Sequence, residues 1–243
     1  MAQLLNEEVF GKTTLIHADC MDYLKLTPDK YFDLAICDIP YGLPDTAYKS
    51  GGGKFLNRIL YTQLEKMNRW DVVPEQSYFD ELFRVSKNCL IFGGNYVSLP
   101  PCRGFVVWDK LQPFSNFSAC EYIWTTFNCP SKLIRLCNRG FSSIHPTEKP
   151  VQLYRYLLTQ FAKKGDKILD THLGSGSICL ACHDLDFEIT GIELDEDYYQ
   201  KAKRRVVDYQ KQLKLELFPT PHPPKPHPPK PPRRGGCWDG STS

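Results

Sequence analysis

The chain has 243 residues, 42% of them hydrophobic and 24% charged, and its 30 basic residues nearly balance 28 acidic ones. This composition is typical of a globular α/β protein and excludes a fibre or a largely disordered chain. No apolar run approaches the roughly 18 residues that a membrane helix needs, and residues 1–10 lack the basic start and apolar centre of a signal peptide. We therefore expect a cytoplasmic protein without a membrane partner, whose 10 cysteines are reduced thiols.

Short apolar runs alternate with helical patterns along most of the chain. The predicted strands are residues 13–19, 32–37, 88–94, 104–108, 121–127, 167–170 and 188–193. The predicted helices are residues 20–24, 74–86, 147–163, 178–185 and 195–214. This alternation predicts an α/β fold in which a seven-stranded Rossmann-like sheet carries helices on both faces.

Two segments differ from this pattern. Residues 43–70 contain three consecutive glycines and five basic side chains, which predicts a mobile basic loop or, alternatively, a solvated linker. Residues 217–243 hold nine of the 19 prolines and repeat Pro-His-Pro-Pro-Lys in tandem, so they predict a disordered or polyproline II tail. We therefore expect one folded domain over residues 1–216, with its cofactor half in residues 145–214.

The apolar run 32–37 ends in Asp38-Ile39-Pro40-Tyr41. A strand that is hydrophobic along its whole length suits a parallel sheet covered on both faces, and such sheets bind ligands at the carboxyl ends of their strands. The motif is therefore a candidate for the reactive edge, although an Asp-x-Pro turn that simply leaves a strand has the same sequence.

Residues 170–193 form a strand, a glycine loop, a helix and a strand that ends in Glu193. A dinucleotide fingerprint needs a third glycine where this chain has Cys179, and the sequence contains no P-loop. A cofactor with adenosine but no phosphate, such as S-adenosylmethionine, fits better, with Glu193 accepting hydrogen bonds from its ribose. Cys179, Cys182 and His183 lack a second ligand pair at zinc spacing, so we interpret the two cysteines as packing thiols and expect no metal site.

Together, the stretch from Asp38 to Tyr41 and the stretch Asp170-Thr171-His172-Leu173-Gly174-Ser175-Gly176-Ser177 resemble the amino-type DNA methyltransferases that act on adenine N6 or cytosine N4. The order of the two motifs is that of the circularly permuted group called beta. Asp19-Cys20 is similar to the family's adenine-contacting turn, and Thr147-Glu148-Lys149-Pro150 to its methionine-contacting segment. The resemblance implies that Asp38, Ile39, Pro40 and Tyr41 are catalytic. It implies that the cofactor-binding residues are Asp19, Cys20, Thr147, Lys149, Asp170, Leu173, Gly174, Ser175, Gly176, Ser177 and Glu193.

Within this resemblance, Asp38 and the Ile39 carbonyl accept hydrogen bonds from the target amine, and Tyr41 stacks on the flipped base. Asp in the first position resembles the adenine-N6 subgroup. Ile39 departs from the family, which more often has proline there, although the following Pro40 still favours an extended backbone. Methylation of cytosine N4, of RNA or of a protein glutamine, and a non-catalytic DNA-binding relative, remain alternatives.

The resemblance also implies double-stranded DNA as the partner. The candidate phosphate contacts are Lys49, Lys54, Arg58, Lys66 and Arg69 of the basic loop. Target recognition is expected in residues 95–145, whose basic side chains are Arg103, Lys110, Lys132, Arg135 and Arg139. We expect a monomer or homodimer, associated with the nucleoid of a prokaryotic or phage-infected cell.

Overall fold

The computed structural model describes residues 6–42, 72–112, 118–137 and 148–212. The strands are β1 (Asn6–Phe10), β2 (Thr13–His17), β3 (Phe32–Asp38), β4 (Ser86–Phe92), β5 (Phe105–Asp109), β6 (Cys120–Thr125), β7 (Lys132–Arg135), β8 (Lys167–Asp170) and β9 (Glu188–Glu193). The helices are α1 (Cys20–Leu26), α2 (Gln76–Val85), α3 (Val151–Phe161), α4 (Ser177–Leu185) and α5 (Glu196–Lys211).

All nine strands join one sheet in the order β1-β2-β9-β8-β3-β4-β6-β5-β7. The α/β fold is confirmed and each of the seven predicted strands is present. The two further strands, β1 and β7, lie at the two edges of the sheet. Edge strands are partly exposed and lack a continuous apolar run, which is why the hydrophobic pattern did not predict them.

Helices cover both faces of the sheet because the central strands are apolar on both sides. In β3, Leu34 and Ile36 pack with α3, α4 and α5, whereas Ala35 and Cys37 pack on the opposite face with α1 and α2. Successive side chains of a strand point to opposite faces, so an uninterrupted apolar run supplies both cores. None of the helices in the described parts of the chain is long and apolar enough to cross a membrane.

The sheet topology brings together segments that are far apart in sequence. Strands β2, β9, β8, β3 and β4 are parallel neighbours, so their carboxyl ends share one edge of the sheet. β8 and β9, which carry the glycine loop, lie between β2 and β3 although they follow both in the chain. Three adjacent strands therefore end at an acidic side chain on this edge, Glu193, Asp170 and Asp38, and Asp19 follows two residues after the end of β2.

β6 enters this arrangement in the reverse direction. It pairs antiparallel with β4, and Phe92 at the end of β4 lies opposite Ile123. The start of β6, including Glu121, therefore also lies at the carboxyl edge. This edge carries the candidate site.

Candidate active site

A cavity of about 670 Å³ opens at the carboxyl edge of the parallel strands. Its walls come from the ends of β2, β3, β8 and β9, from the segment before α2, and from residues 148–149. This volume lies in the usual range for small-molecule sites. The cavity therefore brings the predicted catalytic motif and the predicted glycine loop to one place.

Asp38 ends β3 at the cavity wall, and each of its carboxylate oxygens accepts one hydrogen bond, which leaves further acceptor capacity on both. The Tyr41 hydroxyl donates a hydrogen bond of 2.7 Å to Oδ1, and the Lys149 ammonium donates one of 2.7 Å to Oδ2. Ile39 also lines the cavity, while its side chain is 2% exposed and packs in the core with α1 and α2. The isoleucine that departs from the family pattern thus fills a position in the core.

The ring of Tyr41 occupies a space that a glycine leaves open. Gly93, directly after β4, has φ of +67°, and a Cβ atom there would lie 2.1 Å from Tyr41 Cε1. The ring of Tyr96 stacks against Tyr41, with the ring centroids 5.0 Å apart and an interplanar angle of 24°. Tyr96 is 45% exposed, so the pair presents an aromatic surface beside Asp38.

Lys149 lies at the centre of a buried charge cluster. Its side chain is 5% exposed, and its Nζ lies 2.7 Å from Asp38 Oδ2 and 3.3 Å from Glu121 Oε2. Burial acts to lower the pKa of Lys149, but the two carboxylates outweigh burial and raise it above its ordinary value. Burial raises the pKa of Asp38, which the Lys149 ammonium opposes and the Glu121 carboxylate reinforces.

The glycine loop holds Glu193 in a fixed orientation. The backbone N–H of Gly174 donates to Glu193 Oε2 at 2.8 Å, and the N–H of Asp195 donates to Oε1 at 2.9 Å. Burial raises the pKa of Glu193 to about 7, although both backbone N–H groups favour the ionised form. Each carboxylate oxygen keeps acceptor capacity toward the cavity.

Three residues of the predicted cofactor motif are not among the residues that line the cavity: Asp170, Gly176 and Ser177. Asp170 Oδ1 accepts the N–H of His172 at 3.0 Å, and Oδ2 has no hydrogen-bond partner among the described residues. Burial raises the pKa of Asp170 to about 8. Gly176 begins α4 with φ of +72°, where a Cβ atom would lie 3.3 Å from Ala202 Cβ.

The segment before α3 is attached to the glycine loop by Arg205 of α5. Arg205 Nη2 lies 2.7 Å from Glu148 Oε1, and Nη1 donates to the Ser175 carbonyl at 3.0 Å and to Ser177 Oγ at 3.1 Å. Ser177 therefore supports this contact from behind the loop. The attachment holds Lys149, the next residue, beside Asp38.

The structure brings most predicted site residues together. The predicted residues that line the cavity are Asp19, Cys20, Asp38, Ile39, Pro40, Tyr41, Lys149, Leu173, Gly174, Ser175 and Glu193. Asp19 also caps α1, because its Oδ1 accepts the N–H of Met21 at 2.8 Å. Lys149, predicted to contact the cofactor, lines the cavity and also donates to Asp38.

The other predicted binding residues are placed as follows. Thr147 and the five basic-loop residues Lys49, Lys54, Arg58, Lys66 and Arg69 lie outside the described residues, as does Arg139. In residues 95–145 the described part forms strands β5, β6 and β7 of the sheet. Lys110 there lies 2.6 Å from Glu121 Oε1 with its side chain 15% exposed, so it belongs to the buried charge cluster rather than to an exposed reading surface.

Several cavity residues were not predicted from the sequence. Leu194 lines the cavity beside Glu193 and is 62% exposed, and an apolar residue directly after an acidic strand end could have indicated it. His172 lines the cavity, and burial lowers its pKa to about 4. Tyr78 of α2 also lines it, and its hydroxyl lies 2.7 Å from Thr171 Oγ1. Tyr78 could not have been predicted, because its position depends on the packing of α2 against the sheet.

An α/β sheet with five parallel central strands, whose carboxyl edge combines a glycine loop, an acidic strand end and an Asp-Ile-Pro-Tyr motif, defines a Rossmann-like methyltransferase. A family model for DNA methylases of the N6/N4 type matches residues 30–204. The chain therefore belongs to the N6/N4 DNA methylase family. The family predicted from the two motifs is confirmed.

Two individual relatives match this chain either over a short segment or at low sequence identity. The type II methyltransferase M.HpaI of Haemophilus parainfluenzae is 33% identical over 73 residues, which are 30% of this chain and 23% of that protein. The type II methyltransferase M2.DpnII of Streptococcus pneumoniae is 23% identical over 249 aligned residues, covering 81% of this chain and 90% of that protein.

Two solved structures align with most of this chain, and the one with the higher TM-score shares its fold. The PvuII DNA methyltransferase, described as cytosine-N4-specific, aligns with a TM-score of 0.54 at 11% identity over 81% of this chain and 90% of its own. The putative DNA modification methylase TTHA0409 of Thermus thermophilus, solved in complex with S-adenosyl-L-methionine, aligns with a TM-score of 0.48 at 17% identity over 81% and 95%.

Proposed function

We propose that this DNA methyltransferase transfers the methyl group of S-adenosylmethionine to the exocyclic N6 amine of adenine in double-stranded DNA. The observation that carries the proposal is that one cavity is lined both by the Asp38 carboxylate at the end of β3 and by Glu193 at the end of β9, with only β8 between these two strands. One end of the cavity offers acceptors for a sugar, and the other offers an acceptor for an amine.

The residues at the glycine loop fit S-adenosylmethionine. Glu193 retains acceptor capacity for the two ribose hydroxyls, and Leu194 gives an exposed apolar side chain against which adenine can pack. Gly174, with φ of +53°, turns the backbone toward the same wall. When bound, this cofactor supplies an electrophilic methyl group on sulfur.

Asp38 can accept a hydrogen bond from the exocyclic amine of the target base. The lone pair of an exocyclic amine is delocalised into the base, and hydrogen bonds from the amine hydrogens to good acceptors localise it on nitrogen. We assign these acceptor roles to Asp38 and to the Ile39 carbonyl. As the methyl group is transferred, the amine becomes acidic and releases a proton to Asp38 or to water.

The aromatic pair of Tyr41 and Tyr96 supports a role in holding a flipped base. Base–aromatic stacking tolerates any base and contributes about 1–3 kcal/mol for each base. Flipping also needs a grip on the backbone phosphates, and we assign it to Lys49, Lys54, Arg58, Lys66 and Arg69. An enzyme of this type works where the genome is accessible, which we propose to be the nucleoid in the cytoplasm of a prokaryotic or phage-infected cell.

Product identity tests the proposal. Wild-type protein is incubated in parallel with duplex DNA or with RNA, together with S-adenosylmethionine labelled with tritium in the methyl group, and the nucleic acid is digested to nucleosides. We expect the label in N6-methyldeoxyadenosine. Label in N4-methyldeoxycytidine would overturn the choice of adenine, and label in RNA but not in duplex DNA would overturn the choice of partner.

A further inference from the structure

The contacts of Lys149 place one buried ammonium between two carboxylates from different strands. Its Nζ lies 2.7 Å from Asp38 Oδ2, at the end of β3, and 3.3 Å from Glu121 Oε2, at the start of β6. The three side chains are 5%, 17% and 16% exposed, respectively. Ion pairs at this burial are screened far less than surface pairs, so each charge acts strongly on the others.

The cluster extends to a fourth charge and is balanced. Lys110, directly after β5, lies 2.6 Å from Glu121 Oε1. Two ammonium groups thus alternate with two carboxylates. Other titratable groups that act on or contact Asp38 come from its own loop, from α3 and from β8: Tyr41, Tyr154 and Asp170.

We propose that Lys149 and Glu121 are positioning residues for Asp38: Lys149 orients the Asp38 carboxylate and partly offsets the burial of its charge, and Glu121 shares the lysine charge so that Asp38 remains a strong acceptor. This inference rests on the proposed role of Asp38 toward the target amine. Lys149 fixes Oδ2 and the Tyr41 hydroxyl fixes Oδ1, so the plane of the carboxylate is set by two hydrogen bonds. Hydrogen bonds of this charge-assisted kind are about twice as strong as neutral ones.

The two positioning residues act on Asp38 in opposite directions. The Lys149 ammonium lowers the pKa of Asp38 against the effect of burial, whereas the Glu121 carboxylate raises it. Loss of Lys149 therefore raises the pKa of Asp38. Loss of the Glu121 charge lowers that pKa and makes Asp38 a weaker acceptor, because the whole lysine charge then acts on it alone.

Two variants test this opposition: Lys149→Met and the isosteric Glu121→Gln. The single-turnover rate of methyl transfer to DNA is measured against pH at saturating cofactor, because product release would otherwise hide the chemical step. We expect the acidic limb of the Lys149→Met profile to move to higher pH and that of Glu121→Gln to lower pH. Each should move by about one pH unit, the lower end of the effect of a unit charge within about 4–6 Å, since both carboxylates contact the same ammonium. The plateau rate of Glu121→Gln should also fall.

A matched control uses a lysine–aspartate ion pair near the opposite end of β3, the strand that carries Asp38. Lys87 of β4 lies 2.6 Å from Asp33 of β3, and its side chain is 55% exposed. Lys87→Met should leave the limb at the position of the wild type. If Lys149→Met does not fold, the direction in which the acidic limb of Glu121→Gln moves tests the inference by itself.

The outcomes separate the inference from the proposed function. Acidic limbs that coincide with that of the wild type, or that move in the same direction in both variants, overturn the positioning roles while leaving the acceptor role of Asp38 intact. If the wild type methylates no DNA, the proposed function fails. The pKa of Asp38 is then read from its ¹³Cγ chemical shift in the cofactor-free protein, assigned with Asp38→Asn. Opposite pKa displacements in the two variants support the charge balance, and equal ones overturn it.

Discussion

Cofactor affinity should depend on the ionisation of Glu193. Its carboxylate accepts two backbone N–H groups and, in our proposal, both ribose hydroxyls, which uses acceptor sites that only the ionised form provides in full. Burial raises the pKa of Glu193 to about 7. Protonation therefore competes with cofactor binding, and with a pKa near 7 the Kd should increase about tenfold from pH 8 to pH 6, or about 1.4 kcal/mol.

The matched variant is Glu193→Gln. It removes the titration and places an amide NH₂ opposite the N–H of Gly174 or Asp195, so we expect a Kd at least about tenfold weaker at pH 8, from the loss of charge-assisted hydrogen bonds. Kd is measured by isothermal titration calorimetry at several pH values. The amino group of the cofactor titrates in the same range for both proteins, so the ratio of the two Kd values isolates Glu193. A ratio that does not change between pH 6 and pH 8 would refute the ribose assignment.

Three further predictions concern other parts of the molecule. Gly93→Ala adds strain of about 1–2 kcal/mol at positive φ and displaces the tyrosine ring of the catalytic motif, so label transfer to DNA should be lost while cofactor Kd is retained. Gly11→Ala, at φ of +59° with nothing within 4 Å of its Cβ, should cost similar stability in urea titrations but keep activity. Because burial raises the pKa of Asp170 to about 8, the folded state loses stability as pH rises from about 4 to 8. Asp170→Asn should reduce this loss by about 1.4 kcal/mol per pH unit, and equal slopes in urea unfolding would contradict it. Lys54→Ala combined with Arg58→Ala should weaken DNA binding and flatten its salt dependence, and an unchanged salt slope would remove the basic loop from the interface.

Much of the fold could be predicted because the parallel strands are apolar along their whole length. The apolar run of β3 contributes side chains to the cores on both faces of the sheet. A short run that is apolar on both faces is typical of a strand in a parallel sheet covered by helices. The acidic residues that end these runs indicated the edge on which the site lies. β1 and β7 could not be predicted this way, because an edge strand is stabilised by pairing rather than by burial of an apolar run.

The position of Glu121 in the buried charge cluster depends on the direction of β6, which the sequence did not predict. Glu121 begins an ordinary apolar run, and in a parallel strand it would lie at the edge away from the cavity. Because β6 runs antiparallel to β4, Glu121 lies at the carboxyl edge within reach of Lys149. The sequence contains no local signal for that reversal, so the partner of Lys149 became apparent only when the strands were paired.

The central claim is that Asp38 accepts a hydrogen bond from the target amine during methyl transfer, and one comparison tests it most directly. Wild type and the isosteric Asp38→Asn are given the same duplex DNA and tritium-labelled S-adenosylmethionine, after calorimetry has shown that both bind the cofactor with similar Kd. We predict that the wild type labels the DNA and that Asp38→Asn transfers at least about a hundredfold more slowly, the scale of losing one preorganised group that stabilises developing charge. Equal labelling by the two proteins would contradict the assignment of Asp38 as the acceptor for the target amine.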